Sequence, residues 1–181
     1  AGTGAAGGLV AAAALCVALL ALPGGSPLVA ALLVCGIESA AAGVVLRRTE
    51  PLALSPLLLS GAWIVFTREA FAGDPQWFTV PLGLAVLAVV EVLRWDLRRR
   101  GKPVVIPELV ALELAGFAFL IGASPVGVIQ GSSWAGAVGV ALGVLVAGWG
   151  ALTRVRRRLW LGVAAAVGSL VLMVIVPLAQ D

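Results

Sequence analysis

Runs of about twenty apolar residues recur along the whole chain, separated by connections of only a few residues, and every second connection carries a cluster of arginines. Few folds accept such a pattern. In water the apolar surface could not all be hidden: 61% of the 181 residues are hydrophobic and 12% are charged, against about 25% charged in an ordinary soluble domain. A bilayer accepts it if each crossing segment satisfies its own backbone hydrogen bonds, which for runs of this length means α-helices. Transmembrane β-strands need about ten residues of alternating polarity, and the Ala-, Leu-, Val- and Gly-rich runs do not alternate.

Apolar runs bounded by Arg clusters, Gly/Pro turns and Trp predict seven spans, near 5–22, 27–46, 52–71, 78–97, 105–122, 133–152 and 159–178. The expected fold class is therefore all-α, a polytopic transmembrane helical bundle read as one domain over 1–181. The connections alternate: PGGSP at 23–27 is uncharged, RRTEP at 47–51 basic, REAFAGDPQ at 68–76 mixed, RRRGK at 98–102 basic, SPVGVIQGSS at 124–133 uncharged and RVRRR at 154–158 basic. Lys and Arg are retained on the cytoplasmic side of short loops, so the expected orientation is N-terminus in, C-terminus out. Trp77 and Trp134 open spans at the expected outer face, and Trp95, Trp149 and Trp160 lie near the inner one, where indole rings prefer the headgroup layer. Pro27, Pro51, Pro81, Pro107 and Pro125 are expected at or near helix starts or in turns, where a missing N–H costs little. The order Arg-Arg, Pro, helix, turn, Trp, helix, Arg cluster describes 47–100 and again 98–158, pairing Pro51 with Pro107, Glu50 with Glu108 and Trp77 with Trp134, the mark of a repeated two-helix hairpin.

The WFTVPLGL entry to a helix that closes on an Arg cluster, followed by Pro, helix, turn, Trp and the segment RRRLWLGVAAAVGSL, resembles a family of actinobacterial polytopic membrane proteins of uncharacterised function in which such hairpins recur. The similarity covers about residues 50–178. It implies a bacterial plasma-membrane protein cropped from a longer chain, and it carries over no catalytic residue.

Ionisable groups at membrane depth are the strongest functional pointers, because a charge at the bilayer centre costs at least about 2.5–3.5 kcal/mol. Glu38 and Glu113 fall near the middle of their spans and Glu91 about two turns from the inner end of the fourth. No Lys or Arg lies at the expected depth of the central two, and the chain has no His. These glutamates are then protonated, hydrogen-bonded to hydroxyls such as Ser39, Ser55 or Ser60, or exposed to a wet cavity. One reading is a proton or cation relay through Glu38, Glu113 and Glu91. The other is that they tie helices together, with Glu91 held by Arg94 three residues on. Glu108 is read as a first-turn acid favoured by the helix dipole.

Small residues at every fourth position of the sixth span, Ala135, Gly139, Gly143, Ala147 and Ala151, include a GxxxG and predict close helix packing, within the chain or with another copy. The Arg clusters at 98–102 and 154–158 are explained by topology and could also meet anionic lipid. Arg68, with Glu69 and Asp74 the sole candidates for an outer-face enzyme site, reads as an interfacial residue. Cys16 and Cys35 read as small apolar residues within helices rather than a disulfide or metal pair. There is no Walker loop, dinucleotide fingerprint, metal-ligand spacing or nucleophile motif, so no catalytic residue, cofactor or metal is assigned. Expected partners are the bilayer and other membrane subunits or copies of the chain, with no nucleic acid. The sequence thus favours a structural or assembly component, and a small proton- or cation-coupled transporter or channel is the alternative.

Overall fold

A computed structural model describes residues 27–68 and 74–180, and within them the chain is helical, without strands. Six helices follow in order: α1 Pro27–Leu46, α2 Thr49–Thr67, α3 Gln76–Arg99, α4 Pro107–Ile129, α5 Ser133–Thr153 and α6 Arg156–Gln180. All six are long and apolar enough to cross a membrane, the polytopic architecture that the apolar runs predict. The expected first span, 5–22, lies outside the described residues, as do Cys16 and Glu69. Cys35 is a free, exposed thiol on α1.

The helices gather into two compact units. The first contains α1, α2, most of α3 from Pro81 and the start of α4 as far as Gly116; the second contains the first residues of α3, α4 from Phe117, α5 and α6. Leu54, Phe66 and Leu84 in the first unit and Leu145, Leu170 and Val174 in the second are exposed, as expected where lipid is the solvent.

Four helix ends share one device. Arg47, Gly101, Gly131 and Arg154 have φ of 52°, 65°, 88° and 55°. In each case the next residue donates its N–H to a carbonyl five positions back: Arg48 to Gly43 (3.1 Å), Lys102 to Leu97 (2.9 Å), Ser132 to Gly127 (2.9 Å) and Val155 to Gly150 (3.0 Å). This left-handed cap satisfies carbonyls that the helix end leaves free. Glycine takes the conformation without penalty at 101 and 131, whereas an arginine holds it at 47 and 154.

Two of the resulting hairpins share a register. In α1/α2 a Cβ on Gly43 would lie 2.8 Å from the Leu52 nitrogen, and one on Gly36 2.9 Å from the Leu59 side chain. In α5/α6 the corresponding contacts are Gly150 with the Leu159 nitrogen and Gly143 with the Ala166 nitrogen, each residue 107 positions further along (36 to 143, 43 to 150, 52 to 159, 59 to 166). Glycines seven apart at the seam let two antiparallel backbones approach closely along successive pairs of turns. The αL residues at 47, 101 and 154 recur at intervals of 54 and 53 positions, a sharper mark of the hairpin repeat than the proline pairing. Trp77 and Trp134 are each the second residue of a helix, but Pro51 is the third residue of α2 while Pro107 is the first of α4.

Pro125 departs from expectation. It lies inside α4, which continues to Ile129 instead of ending near 122. Proline lacks the N–H that residue 121 would accept, but the apolar Val-Gly-Val-Ile that follows continues the run, and the stop comes at Gly131. α4 is therefore about 34 Å long at 1.5 Å per residue, and Glu113, six residues from its start, lies in the first third rather than at mid-span.

Candidate functional site

The end of α3 and the start of α4 decide where the acids meet. Arg94 is five residues before the end of α3 and Glu113 six residues after the start of α4. The two helices run antiparallel in contact, with Leu87 against Gly116, so both side chains reach about the same level, roughly 8–9 Å in from the helix ends. The Arg94 guanidinium donates from Nη1 to Glu113 Oε1 (3.0 Å) and from Nη2 to Oε2 (2.9 Å), a fork-to-fork pair. Nη1 also donates to Glu91 Oε1 (2.9 Å), one turn back on α3.

Burial makes this pair the most polar feature of the first unit. Glu113 is fully buried and Arg94 is 4% exposed, while the Glu91 side chain retains 36% exposure. A planar guanidinium matches a carboxylate with two parallel, charge-assisted bonds, and this compensation lets both charges occupy a dry helix seam. Val90, one turn before Arg94 on α3, is 1% exposed.

This corrects the expectation that no cation could reach Glu113. Arg94 belongs by sequence to the basic end of α3 and its partner was expected to be Glu91 alone; the structure adds a second and more buried partner on the next helix. Glu91 and Glu113 thus converge on one arginine. Glu38, on α1, is partly buried and forms no hydrogen bond or ion pair with another described residue. Of the proposed hydroxyl partners, Ser60 donates to its own helix, to the Leu57 carbonyl (2.9 Å). Glu108 is exposed in the first turn of α4.

In the second unit, the small-residue stripe of α5 faces two helices. Ala135 is buried, with a Cβ on Gly127 of α4 reaching it at 2.5 Å; Gly139 lies against Ser124 of α4 and Ser169 of α6; Gly143 and Ala147 meet the backbone of α6 at Ala166 and Gly162. Ala151 is exposed. Gly136 and Gly150 extend the contact surface beyond the four-residue period, against Met173 and Leu159. Ser124 and Ser169 are buried with their hydroxyls unpartnered, as is the side-chain amide of Gln76 beside Gly127, polar groups that sequence reading did not single out. At the basic end of α5 and α6, Arg158 is 3% exposed, its guanidinium 3.9 Å from the Trp149 ring centre, and Trp149 packs edge-on against Phe117. Arg68 is exposed at the end of α2, and Asp74 Oδ1 accepts the Gln76 N–H (3.2 Å), capping α3. Among the described residues no group of three or more His, Cys, Asp or Glu could hold a metal ion.

No family model, curated protein or solved structure matches the chain.

Proposed function

We propose that the protein is a structural or assembly component of a membrane, a non-enzymatic set of spanning helices fastened internally by its rare buried charges. The observation that carries this reading is the double hydrogen bond between Arg94 and Glu113. A carboxylate bonded through both oxygens to a guanidinium, and buried between two helices, is occupied in holding those helices in register. A relay needs carboxyls that exchange protons with water and with one another; here Glu113 has no exposed surface and Glu38 stands apart from the Arg94 network.

The same reading takes the basic connections 47–51, 98–102 and 154–158 as cytoplasmic, the N-terminus as inside and the membrane as the bacterial plasma membrane, in line with the retention of Lys and Arg on that side. It also takes the chain as a relative of the actinobacterial hairpin-repeat membrane proteins, on the motifs WFTVPLGL and RRRLWLGVAAAVGSL. The competing reading is a proton- or cation-coupled transporter or channel, and ion flux into proteoliposomes separates the two. The structural role predicts flux equal to that of protein-free vesicles under an imposed pH or sodium gradient. Flux above that level, abolished by Glu113→Gln in a variant that remains folded, would overturn it.

A further inference from the structure

At the basic end of the first unit, α1, α2 and α3 border an open cleft of about 630 Å³. Its apolar walls are Val44 of α1, Leu52 of α2 and Val92 of α3, and its polar groups are Arg47, Arg99, Trp95 and Glu91. The two arginines have no carboxylate partner among the described residues, whereas the one acid of the wall, Glu91, is already bonded to Arg94. Arg47 is the αL residue of the α1/α2 turn, φ 52°. The Arg99 guanidinium carbon lies over the Trp95 ring, 3.7 Å from its centre. The lining therefore combines two cations free to accept an anion with an indole of the kind that prefers the headgroup layer and walls suited to hydrocarbon.

We propose that this cleft binds the headgroup of an anionic phospholipid, with Arg47 and Arg99 on the phosphate and the first acyl segments against Val44, Leu52 and Val92. A phospholipid meets both halves of the lining at once, where a free phosphate would leave the apolar walls uncovered. General attraction of basic loops to an anionic membrane does not need this arrangement: Arg98 and Arg100 lie on the same connection but outside the cleft, with Arg100 paired to Asp96 at 2.8 Å.

The test is quenching of Trp95 by brominated lipid in nanodiscs, taken as the difference between wild type and Trp95→Phe. Brominated phosphatidylglycerol should compete for the site roughly thirtyfold better than brominated phosphatidylcholine, at about 1 kcal/mol per arginine. Arg47→Gln/Arg99→Gln should abolish that preference and Arg98→Gln/Arg100→Gln should preserve it. Equal quenching by the two lipids in the wild type overturns the proposal without recourse to any variant. So does an equal loss in the control pair, which marks bulk surface charge, or displacement of the lipid by millimolar inorganic phosphate, which marks a site for the free ion.

Discussion

Replacing Gly43 by alanine sets a methyl carbon 2.6 Å from the Leu52 Cβ and 2.8 Å from the Leu52 backbone nitrogen. Carbon contacts are favourable near 3.5–4.0 Å, so α1 and α2 must separate by about 1 Å at this level. The clashing atoms are backbone and Cβ, which no change of rotamer can move aside. Overpacking of this kind costs about 1–3 kcal/mol. Gly148, by contrast, has nothing within 4 Å of its missing Cβ, and Gly148→Ala makes the same chemical change, with the same gain in helix propensity, in open space. The structure therefore predicts that Gly43→Ala is less stable than Gly148→Ala by about 2 kcal/mol, roughly a thirtyfold difference in the unfolding equilibrium. Gly150→Ala should behave like Gly43→Ala, since it meets the Leu159 nitrogen in the same register. Reversible unfolding of the three variants in mixed micelles reads the difference. Equal stability of Gly43→Ala and Gly148→Ala would refute the close-approach reasoning for the seam.

Three further outcomes follow from the same structure. Arg154→Gly removes a non-glycine αL conformation, a penalty of about 1–2 kcal/mol, at an entropic cost of about 0.5–1 kcal/mol, and should raise stability slightly in the same assay; a loss would contradict the cap geometry. Trp149→Leu strips the ring from beneath Arg158 and from Phe117 and should cost about 1–3 kcal/mol, whereas Trp160→Leu, on an exposed ring, should cost little. Single cysteines at Lys102 and Val155 in a Cys16→Ala/Cys35→Ala background should react with an impermeant maleimide from one side of the membrane and a cysteine at Gln130 from the other; labelling of all three from one side would break the six-crossing alternation.

The helical class and the placement of the connections were legible because apolar length and arginine position act locally: α1 runs over the predicted 27–46, and α5 differs from 133–152 by one residue. The charge site was only half legible. Glu91 and Arg94 are three apart on one helix, and their bond is visible from spacing alone. The bond from Arg94 to Glu113 is a relation between two helices: on the predicted spans 78–97 and 105–122 the two residues stand three and eight residues from the basic end, and on the observed α3 and α4 they stand five and six, which brings them level. The glycine seams were hidden for a related reason. A four-residue stripe appears within α5, but the pairing of Gly36 with Leu59 or Gly143 with Ala166 is a relation between two helices, which a single helical period does not display. The unpartnered Ser124, Ser169 and Gln76 are ordinary residues in sequence, and burial alone distinguishes them.

The central claim is that the buried charges fasten helices together, and a double-mutant stability cycle on Arg94 and Glu113 tests it most directly. Removing one partner of a buried pair leaves the other charge uncompensated and costs about 3–5 kcal/mol, whereas replacing both by apolar residues is close to neutral. Glu91 remains bonded to Arg94 in Glu113→Leu, so that variant should fall at the lower end, about 3 kcal/mol. The account predicts that Glu113→Leu loses about 3 kcal/mol and Arg94→Met, which strands the buried Glu113, about 3–5 kcal/mol, while the double variant returns to within about 1 kcal/mol of wild type. Single variants that change stability by under about 1 kcal/mol, or a double variant whose loss is the sum of the two, would contradict it.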